Sequence, residues 1–175
     1  MPDCFLAVGS NIDPESNIPA ALTRLCSLTP VLASSTFYRT IYLDRPDDPP
    51  FLNGVWLIRT DLSPSELKFD LLRPLEAALG RIRSLDKSAP RTIDLDLILY
   101  ADFVIDHPAL KLPAPEIRIR PFVAVPLLEL APKLILPDTG EPLARLAVVR
   151  NPSLIPDPDL TAKLRAMLPT TPTQP

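Results

Sequence analysis

The alternation of apolar and polar positions along the first hundred residues predicts strands and helices in a regular order. Short apolar runs rich in β-branched and aromatic residues predict strands at 4–8, 31–39, 51–60 and 90–100. Two stretches with apolar residues three and four positions apart predict long helices after the first and third strands. The resulting order, strand, helix, strand, strand, helix, strand, is the ferredoxin-like βαββαβ pattern of an antiparallel sheet covered by helices. The predicted fold class is therefore α+β.

Prolines mark the expected ends of these elements. Pro19 is tolerated in the first helix only within its first turn, which predicts a helix start near Ser16 or Asn17. The second helix opens with a capping box in which Ser63 is the cap and Glu66 its partner, and Pro74 is expected to kink it. After the fourth strand, the pattern predicts additional elements: a hairpin at 104–112 and a short helix at 120–130.

A chain of 175 residues is long enough to bury one core without disulfides. Residues 1–150 are predicted to form a single domain, and the proline-rich residues 151–175 an extension with one docking helix at 159–167. The two cysteines, Cys4 and Cys26, have neither metal-site spacing nor the density of a disulfide scaffold, and both are expected to be reduced core residues.

Net charge and hydropathy give no indication of a nucleic-acid or membrane partner. A net charge of −3 gives no reason to expect nucleic acid or an anionic membrane as partner. The chain contains no apolar stretch long enough for a membrane span, and its N-terminus lacks the pattern of a signal peptide. We expect a cytoplasmic monomer that acts on small molecules.

Two carboxylates interrupt the most apolar predicted strand. Because side chains alternate along a strand, Asp94 and Asp96 share one face, with their Cα atoms roughly 6.5 to 7 Å apart. Like charges this close in a half-buried place call for a counter-cation or a raised pKa. Magnesium, which binds through one or two carboxylates and substrate phosphates, meets that need. The alternative, that both residues face solvent on an edge strand, stays open from these residues alone.

The segment around the two aspartates, Pro90-Arg91-Thr92-Ile93-Asp94-Leu95-Asp96, resembles the signature of the 6-hydroxymethyl-7,8-dihydropterin pyrophosphokinases of folate biosynthesis. The similarity continues in the same order over about residues 4 to 145. The other segments that carry it are Ala7-Val8-Gly9-Ser10-Asn11, Ser35-Thr36-Phe37-Tyr38-Arg39-Thr40, Phe51-Leu52-Asn53, Gly80-Arg81-Ile82-Arg83 and Arg120-Pro121-Phe122-Val123.

The resemblance implies transfer of pyrophosphate from ATP to the hydroxymethyl group of the pterin, with AMP as the leaving group and two magnesium ions as cofactors. It implies catalytic roles for Arg81, Arg91, Asp94 and Asp96, with Asp94 and Asp96 as the metal ligands. The pterin-binding residues that it implies are Thr40, Leu43, Phe51, Asn53, Asp94, Arg120 and Phe122. The nucleotide-binding residues that it implies are Glu76, Arg81, Arg83, Arg91, Leu97, Leu110 and Lys111.

Two other functions remain open at this stage. One is a related phosphotransferase that uses another pterin-like alcohol. The other is a non-catalytic pterin- or nucleotide-binding domain, which is favoured by Ala114 and Ser88, because the family usually has a histidine and a tryptophan at these positions. For either aspartate, substitution by asparagine is expected to abolish turnover without lowering the stability of the metal-free protein, because it relieves repulsion.

Overall fold

The computed structural model describes residues 1–40, 49–83, 89–150 and 154–169. The strands are β1 (Asp3–Ser10), β2 (Val31–Ser34), β3 (Phe37–Thr40), β4 (Phe51–Arg59), β5 (Asp94–Tyr100), β6 (Ile105–His107), β7 (Leu110–Leu112) and β8 (Ile155–Asp157). The helices are α1 (Pro14–Cys26), α2 (Pro64–Glu66), α3 (Arg73–Ala78), α4 (Glu116–Ile119), α5 (Pro121–Leu130) and α6 (Pro158–Met167). A π-helical turn, Leu67–Leu72, joins α2 to α3, and two 3₁₀ turns lie at Leu143–Arg145 and Ala147–Val149.

The main sheet has the strand order β5-β1-β4-β3-β8, and β2 also pairs with β4. Neighbouring strands in it are antiparallel. With helices on the sheet, the arrangement is the predicted α+β, ferredoxin-like fold, and this prediction is confirmed. The predicted hairpin is β6 with β7, and the predicted short helix is α5.

The two faces of the sheet support two separate cores, because side chains alternate across each strand. One core packs strand residues such as Leu6 and Leu95 against α1, the π-helical turn, α3 and α6. The second core packs Val55 and Leu99 against α5. We refer to them as the first and the second core. Cys4 is a free cysteine in the first core, where burial raises the pKa of its thiol to about 12.

The predicted strand at 31–39 is in fact two strands, β2 and β3. The hydroxyl of Ser35 accepts a hydrogen bond from the Val55 N–H at 2.8 Å, and the Ser35 N–H donates to the Val55 carbonyl at 3.0 Å. A side chain therefore replaces a backbone partner in the ladder, which breaks the strand between Ser34 and Phe37.

The first helix begins earlier than the sequence predicted. Its cap is Asp13, in the left-handed conformation with φ of 41°, and Pro14 is the first helical residue. Pro19 therefore lies inside the helix and leaves the Glu15 carbonyl without its usual partner four residues on. The Lys163 ammonium of α6 donates to that carbonyl at 3.3 Å, so a contact from outside α1 replaces the lost hydrogen bond.

The second helix is confirmed with its capping box, in which Ser63 and Glu66 exchange hydrogen bonds. Pro74 affects this helix through a π-helical turn. The Arg73 N–H bonds to the Lys68 carbonyl five residues before it, because the proline ring would collide with a carbonyl in a regular α-helical turn. The wider turn keeps the chain helical on both sides of Pro74.

The extension contributes the predicted helix, now α6, and also a strand that was not predicted. Pro156 and Asp157 disfavour strand structure, yet β8 pairs with the edge of β3. In the described part of the chain, no helix is long and apolar enough to span a membrane.

One glycine is essential to the packing of the first core. A Cβ atom at Gly54 would lie 2.6 Å from two ring carbons of Phe37, which is fully buried. We predict that Gly54→Ala lowers the free energy of unfolding by about 1–3 kcal/mol, because an overpacked core must shift its side chains or backbone. Urea denaturation followed by circular dichroism measures the change.

Gly9→Ala is the matched control, because the one close approach of its Cβ, at 2.7 Å, would be to the side-chain oxygen of Asn53, which can move. We expect it to lose less stability than Gly54→Ala. Equal losses in the two variants would contradict the packing argument.

Candidate active site

Residues of four strands form a row across one face of the sheet. Gly9 of β1 lies opposite Asp94 of β5 on one side and opposite Asn53 of β4 on the other, and Asn53 in turn lies opposite Tyr38 of β3. Directly opposed residues point to the same face, so Asp94 and Asn53 share it, on the order of 10 Å apart across two strand spacings. This is the face that carries the second core.

Gly9 leaves open space in the middle of this row. An added Cβ would lie 2.7 Å from the Asn53 Oδ1 atom and 3.9 Å from the Phe51 ring. The absence of a side chain therefore lets the Asn53 amide lie over the backbone of β1 at Gly9, the residue opposite Asp94. Gly9 belongs to the segment 7–11 that resembles the family, but the sequence offered no reason to assign it a role. The strand register shows that it makes room for the Asn53 side chain.

Asp94 is the centre of a group of ion pairs. Its Oδ1 atom accepts from Arg81 and its Oδ2 atom from Arg91. The three side chains are 20%, 12% and 15% exposed, so these pairs are partly shielded from water. The structure thus brings together three of the four predicted catalytic residues, with both arginines directed toward the carboxylate.

Glu76 of α3 supports the same group from the edge of the sheet. It is buried, its Oε1 atom accepts from both Arg81 and the Leu95 N–H, the latter at 2.8 Å, and its Oε2 atom accepts from Arg83 at 2.5 Å. Burial raises the pKa of Glu76, and the Leu95 amide and the guanidinium groups oppose that shift. Glu76 therefore satisfies an edge amide of β5 and fixes Arg81 at the same time.

Asp96 differs from Asp94 in its surroundings. Among the described residues its carboxylate has no hydrogen bond or ion pair, and the side chain is exposed. The protein atoms crowded around it, followed by the negative charge of Asp94, raise the pKa of Asp96 to about 6, and Lys68 opposes this shift.

The donor set of the two aspartates is suited to a hard cation. Both carboxylates lie on one face of β5, and the free oxygens of Asp96 face solvent. The described residues contain no group of three or more histidine, cysteine, aspartate or glutamate side chains that could enclose a metal. Two carboxylates with room for water and phosphate oxygens suit magnesium, which rarely has a cage made only of protein ligands.

Arg91 is held in place by contacts on three sides. Its backbone N–H donates to the Asn11 Oδ1 atom at 2.8 Å, and its Nε atom donates to the Ala89 carbonyl at 3.2 Å. Its guanidinium also lies 5.6 Å from the centre of the Phe51 ring, a cation–π contact. Asn11 was not among the predicted site residues, although it ends the matched segment at 7–11.

Thr40 and Asn53 of the predicted pterin-binding set are in contact, because the Asn53 amide donates to the Thr40 hydroxyl at 2.7 Å. Phe122 is half-buried at the start of α5, and the Arg120 guanidinium lies 5.9 Å from its ring centre. The remaining member, Leu43, lies outside the described residues.

Three more of the predicted nucleotide-binding residues, and Ala114, follow Asp96 in the chain. Leu97 and Leu110 are buried in the first core, so only their backbone is available to a ligand. Lys111 is exposed and pairs with Asp106 at 2.6 Å. Ala114 is 7% exposed and packs in the second core.

A groove of about 490 Å³ lies elsewhere, between α1 and the helix that contains the π turn. Its lining includes Leu28, Leu71 and Pro74, on the side of the sheet that carries the first core. It is therefore separate from the row that contains Asp94 and Asn53.

Comparisons with known proteins give one consistent result. The family described as 7,8-dihydro-6-hydroxymethylpterin-pyrophosphokinase matches residues 5–132. A 2-amino-4-hydroxy-6-hydroxymethyldihydropteridine pyrophosphokinase of Pseudomonas aeruginosa is 41% identical over 137 residues, which is 77% of this chain and 83% of the relative. A protein of the same name from a Synechocystis species is 38% identical, over 81% of this chain and 72% of the relative.

The folic acid synthesis protein fol1 of Schizosaccharomyces pombe is 40% identical over 79% of this chain, but the match covers only 19% of that longer protein. The matched residues 5–132 include most of β1, the paired strands β4 and β5 beside it, α3 and the ion-paired aspartate of β5. The chain therefore belongs to the 7,8-dihydro-6-hydroxymethylpterin-pyrophosphokinase family, whose members transfer pyrophosphate in folate biosynthesis.

Proposed function

We propose that this protein transfers pyrophosphate from ATP to the hydroxymethyl oxygen of 6-hydroxymethyl-7,8-dihydropterin and releases AMP. The observation that carries the proposal is the row of Asp94, Gly9 and Asn53 on one sheet face, in a chain of this family. The row has a charged end suited to phosphates and metal, and an amide suited to the hydrogen-bonding edge of a heterocycle. Its length, on the order of 10 Å, suits a small planar ring beside a phosphate group.

Asp94 and Asp96 would hold magnesium at the charged end. Magnesium bound there would supply positive charge for the phosphate oxygens and bring the two substrates together. The exposed carboxylate of Asp96 is available at once, whereas both oxygens of Asp94 are shared with guanidinium groups. A metal at Asp94 would therefore use the remaining lone pairs of this carboxylate, or it would replace one guanidinium.

Arg81 and Arg91 would act on the phosphates. A guanidinium displaced from Asp94, or shared with it, remains beside the metal site and has further N–H groups to donate. Glu76 also binds Arg81, and the Ala89 carbonyl accepts from the Arg91 Nε atom, so each guanidinium keeps a second contact when it moves toward a phosphate. Arginines that are fixed before the substrate binds stabilise developing charge at little reorganisation cost.

The amide of Asn53 would bind the pterin edge. Thr40 orients this amide by accepting from its NH₂ group, which leaves the carbonyl oxygen and one N–H for a ligand. Phe51 and Phe122 are the aromatic residues proposed to contact the two faces of the pterin ring. Arg120, next to Phe122, adds positive charge at the start of α5.

The reaction needs no nucleophilic side chain. The hydroxymethyl oxygen attacks the β-phosphorus of ATP, the bond from this phosphorus to the oxygen that bridges it to the α-phosphorus breaks, and the electron pair leaves with AMP. The protein contributes position and charge neutralisation, both of which the Asp94 group can supply. The hydroxymethyl proton is lost to solvent or to a phosphate oxygen.

We predict that ATP, magnesium and 6-hydroxymethyl-7,8-dihydropterin together yield AMP and the pterin pyrophosphate, and that omission of the metal or the pterin stops AMP formation. Anion-exchange chromatography of the nucleotides measures the products. Pterin-dependent ADP would instead show a simple phosphotransferase. Pterin binding by calorimetry without either product would show a non-catalytic binding domain.

The two aspartates are expected to differ in their effect on stability. Asp94→Asn and Asp96→Asn are each expected to reduce turnover by about a thousandfold or more, because each removes a charge from the metal site. Only Asp94→Asn is expected to destabilise the metal-free protein, by about 1–3 kcal/mol, since it removes the carboxylate that two partly buried guanidinium groups share, although Arg81 keeps its pair with Glu76. For Asp94, this prediction replaces the expectation from sequence that neither variant loses stability, because the ion pairs of Asp94 are now known.

Asp3→Asn is the matched control for both variants. Asp3 pairs with Arg59 at 2.7 Å at the far end of β1, and both side chains are about half exposed. We expect it to retain turnover and to lose less than about 1 kcal/mol. Equal thermal stability of Asp94→Asn and Asp96→Asn without metal would contradict the role of Asp94 as the partner of both arginines.

A further inference from the structure

The described part of the extension, residues 154–169, lies beyond the stretch that the family matches and builds directly onto β3. In the register of β8 with β3, Asp157 is opposite Phe37 and Ile155 is opposite Arg39. Helix α6 then folds back so that Leu160 and Leu164 enter the first core. The short strand β3 therefore has β4 on one side and the extension on the other.

The carboxylate of Asp157 joins the extension to β3. It is 7% exposed, its Oδ1 atom accepts from the Leu160 N–H at 3.0 Å, and its Oδ2 atom accepts from Arg39 at 2.5 Å. The first contact caps α6, and the second is a charge-assisted hydrogen bond to the strand. Arg39 also contacts Glu15 of α1 at 3.3 Å.

Backbone groups of β2 and β3 depend on the same segment. The Phe37 N–H donates to the Thr161 hydroxyl at 2.9 Å, and this hydroxyl donates to the Asp157 carbonyl at 2.7 Å. The Arg165 Nε atom donates to the Ser34 carbonyl at 3.2 Å. Since a buried amide without a partner is costly, these contacts favour a single position for β3.

The position of β3 matters because its last residue is Thr40. Arg39 and Thr40 are adjacent and point to opposite faces, so Arg39 reaches Asp157 while Thr40 reaches the Asn53 amide at 2.7 Å. A strand of four residues with one free edge frays easily, whereas a strand held from both sides does not. The geometry of Thr40 and Asn53 is therefore coupled to Arg39.

We propose that Asp157 is a positioning residue for pterin binding, which acts through Arg39 to hold β3 so that Thr40 and Asn53 are aligned for the substrate. Asp157 lies on the other face of the sheet from Asn53 and acts only through the strand. This inference rests on the proposed function, because it takes Asn53 as the partner of the pterin. It assigns to the extension an effect on one substrate and not on the other.

The test compares Asp157→Asn with wild type in steady-state kinetics. Asparagine is also a good helix cap, so α6 keeps its acceptor and only the charged contact with Arg39 is lost. We expect the KM for the pterin to rise about five- to tenfold and the KM for ATP to change less than about twofold. Arg39→Met should have the same effect, and the double variant should be no worse than either single variant.

Asp3→Asn again serves as control, since it removes another aspartate–arginine pair of the same sheet and should leave both KM values unchanged. A lower melting temperature of Asp157→Asn with an unchanged KM for the pterin would show a purely structural role and overturn the inference. An equal rise of both KM values would overturn it as well.

Amide hydrogen exchange separates this inference from the proposed function. Asp157→Asn should speed exchange at Thr40 and in the paired part of β4 by about tenfold, while β1 and β5 stay protected. Unchanged exchange in β3 would refute the coupling, whether or not the protein is active. Wild-type protein that forms no AMP from ATP, magnesium and the pterin would refute the proposed function instead.

Discussion

The charge balance around Asp94 is the constraint on which the rest of the site depends. One carboxylate holds two guanidinium groups that arrive from different parts of the chain, Arg81 after α3 and Arg91 before β5. Without the carboxylate, two partly buried cations would lie close together with only Glu76 on Arg81 to balance them, and without the arginines the two aspartates would repel. The site is thus neutralised internally before any substrate arrives, and the same charges are available to a metal and to phosphates.

The strands bring this charged group next to the proposed pterin side. Asp94 lies on the edge strand and Asn53 two strands further in, and Gly9 between them has no side chain to separate them. Glu76 closes the exposed edge by accepting the Leu95 N–H, so that the edge of β5 and the orientation of Arg81 depend on one buried carboxylate. Toward the opposite edge of the sheet, β3 pairs with β8 of the extension, which lies outside the family match.

Much of this organisation could be predicted from the sequence, because it follows from local patterns. The period of the apolar residues gave the βαββαβ order, and strand alternation placed Asp94 and Asp96 on one face. The capping box at Ser63 is a purely local motif, and it was found where the sequence predicted it.

What could not be predicted depends on contacts between distant residues. The predicted start of α1 was wrong because Pro19 is tolerated inside the helix. The Glu15 carbonyl that Pro19 leaves free accepts from Lys163, which lies 148 positions later in the sequence. The strand β8 was missed because its own residues disfavour strand structure and only the edge of β3 favours it. The expectation for Asp94→Asn did not include the pairing of Asp94 with both arginines, because this pairing is a tertiary feature.

The central claim is that metal, phosphates and pterin meet on the face that carries Asp94, Asp96 and Asn53. A crystal structure with manganese, a non-hydrolysable ATP analogue and the pterin tests this claim most directly, because anomalous scattering locates the metal. We expect manganese to bind directly to oxygens of both aspartates, at about 2.0 to 2.4 Å, with the pterin against the Asn53 amide. Manganese bound away from both aspartates, or a nucleotide in the groove between α1 and α3, would contradict it.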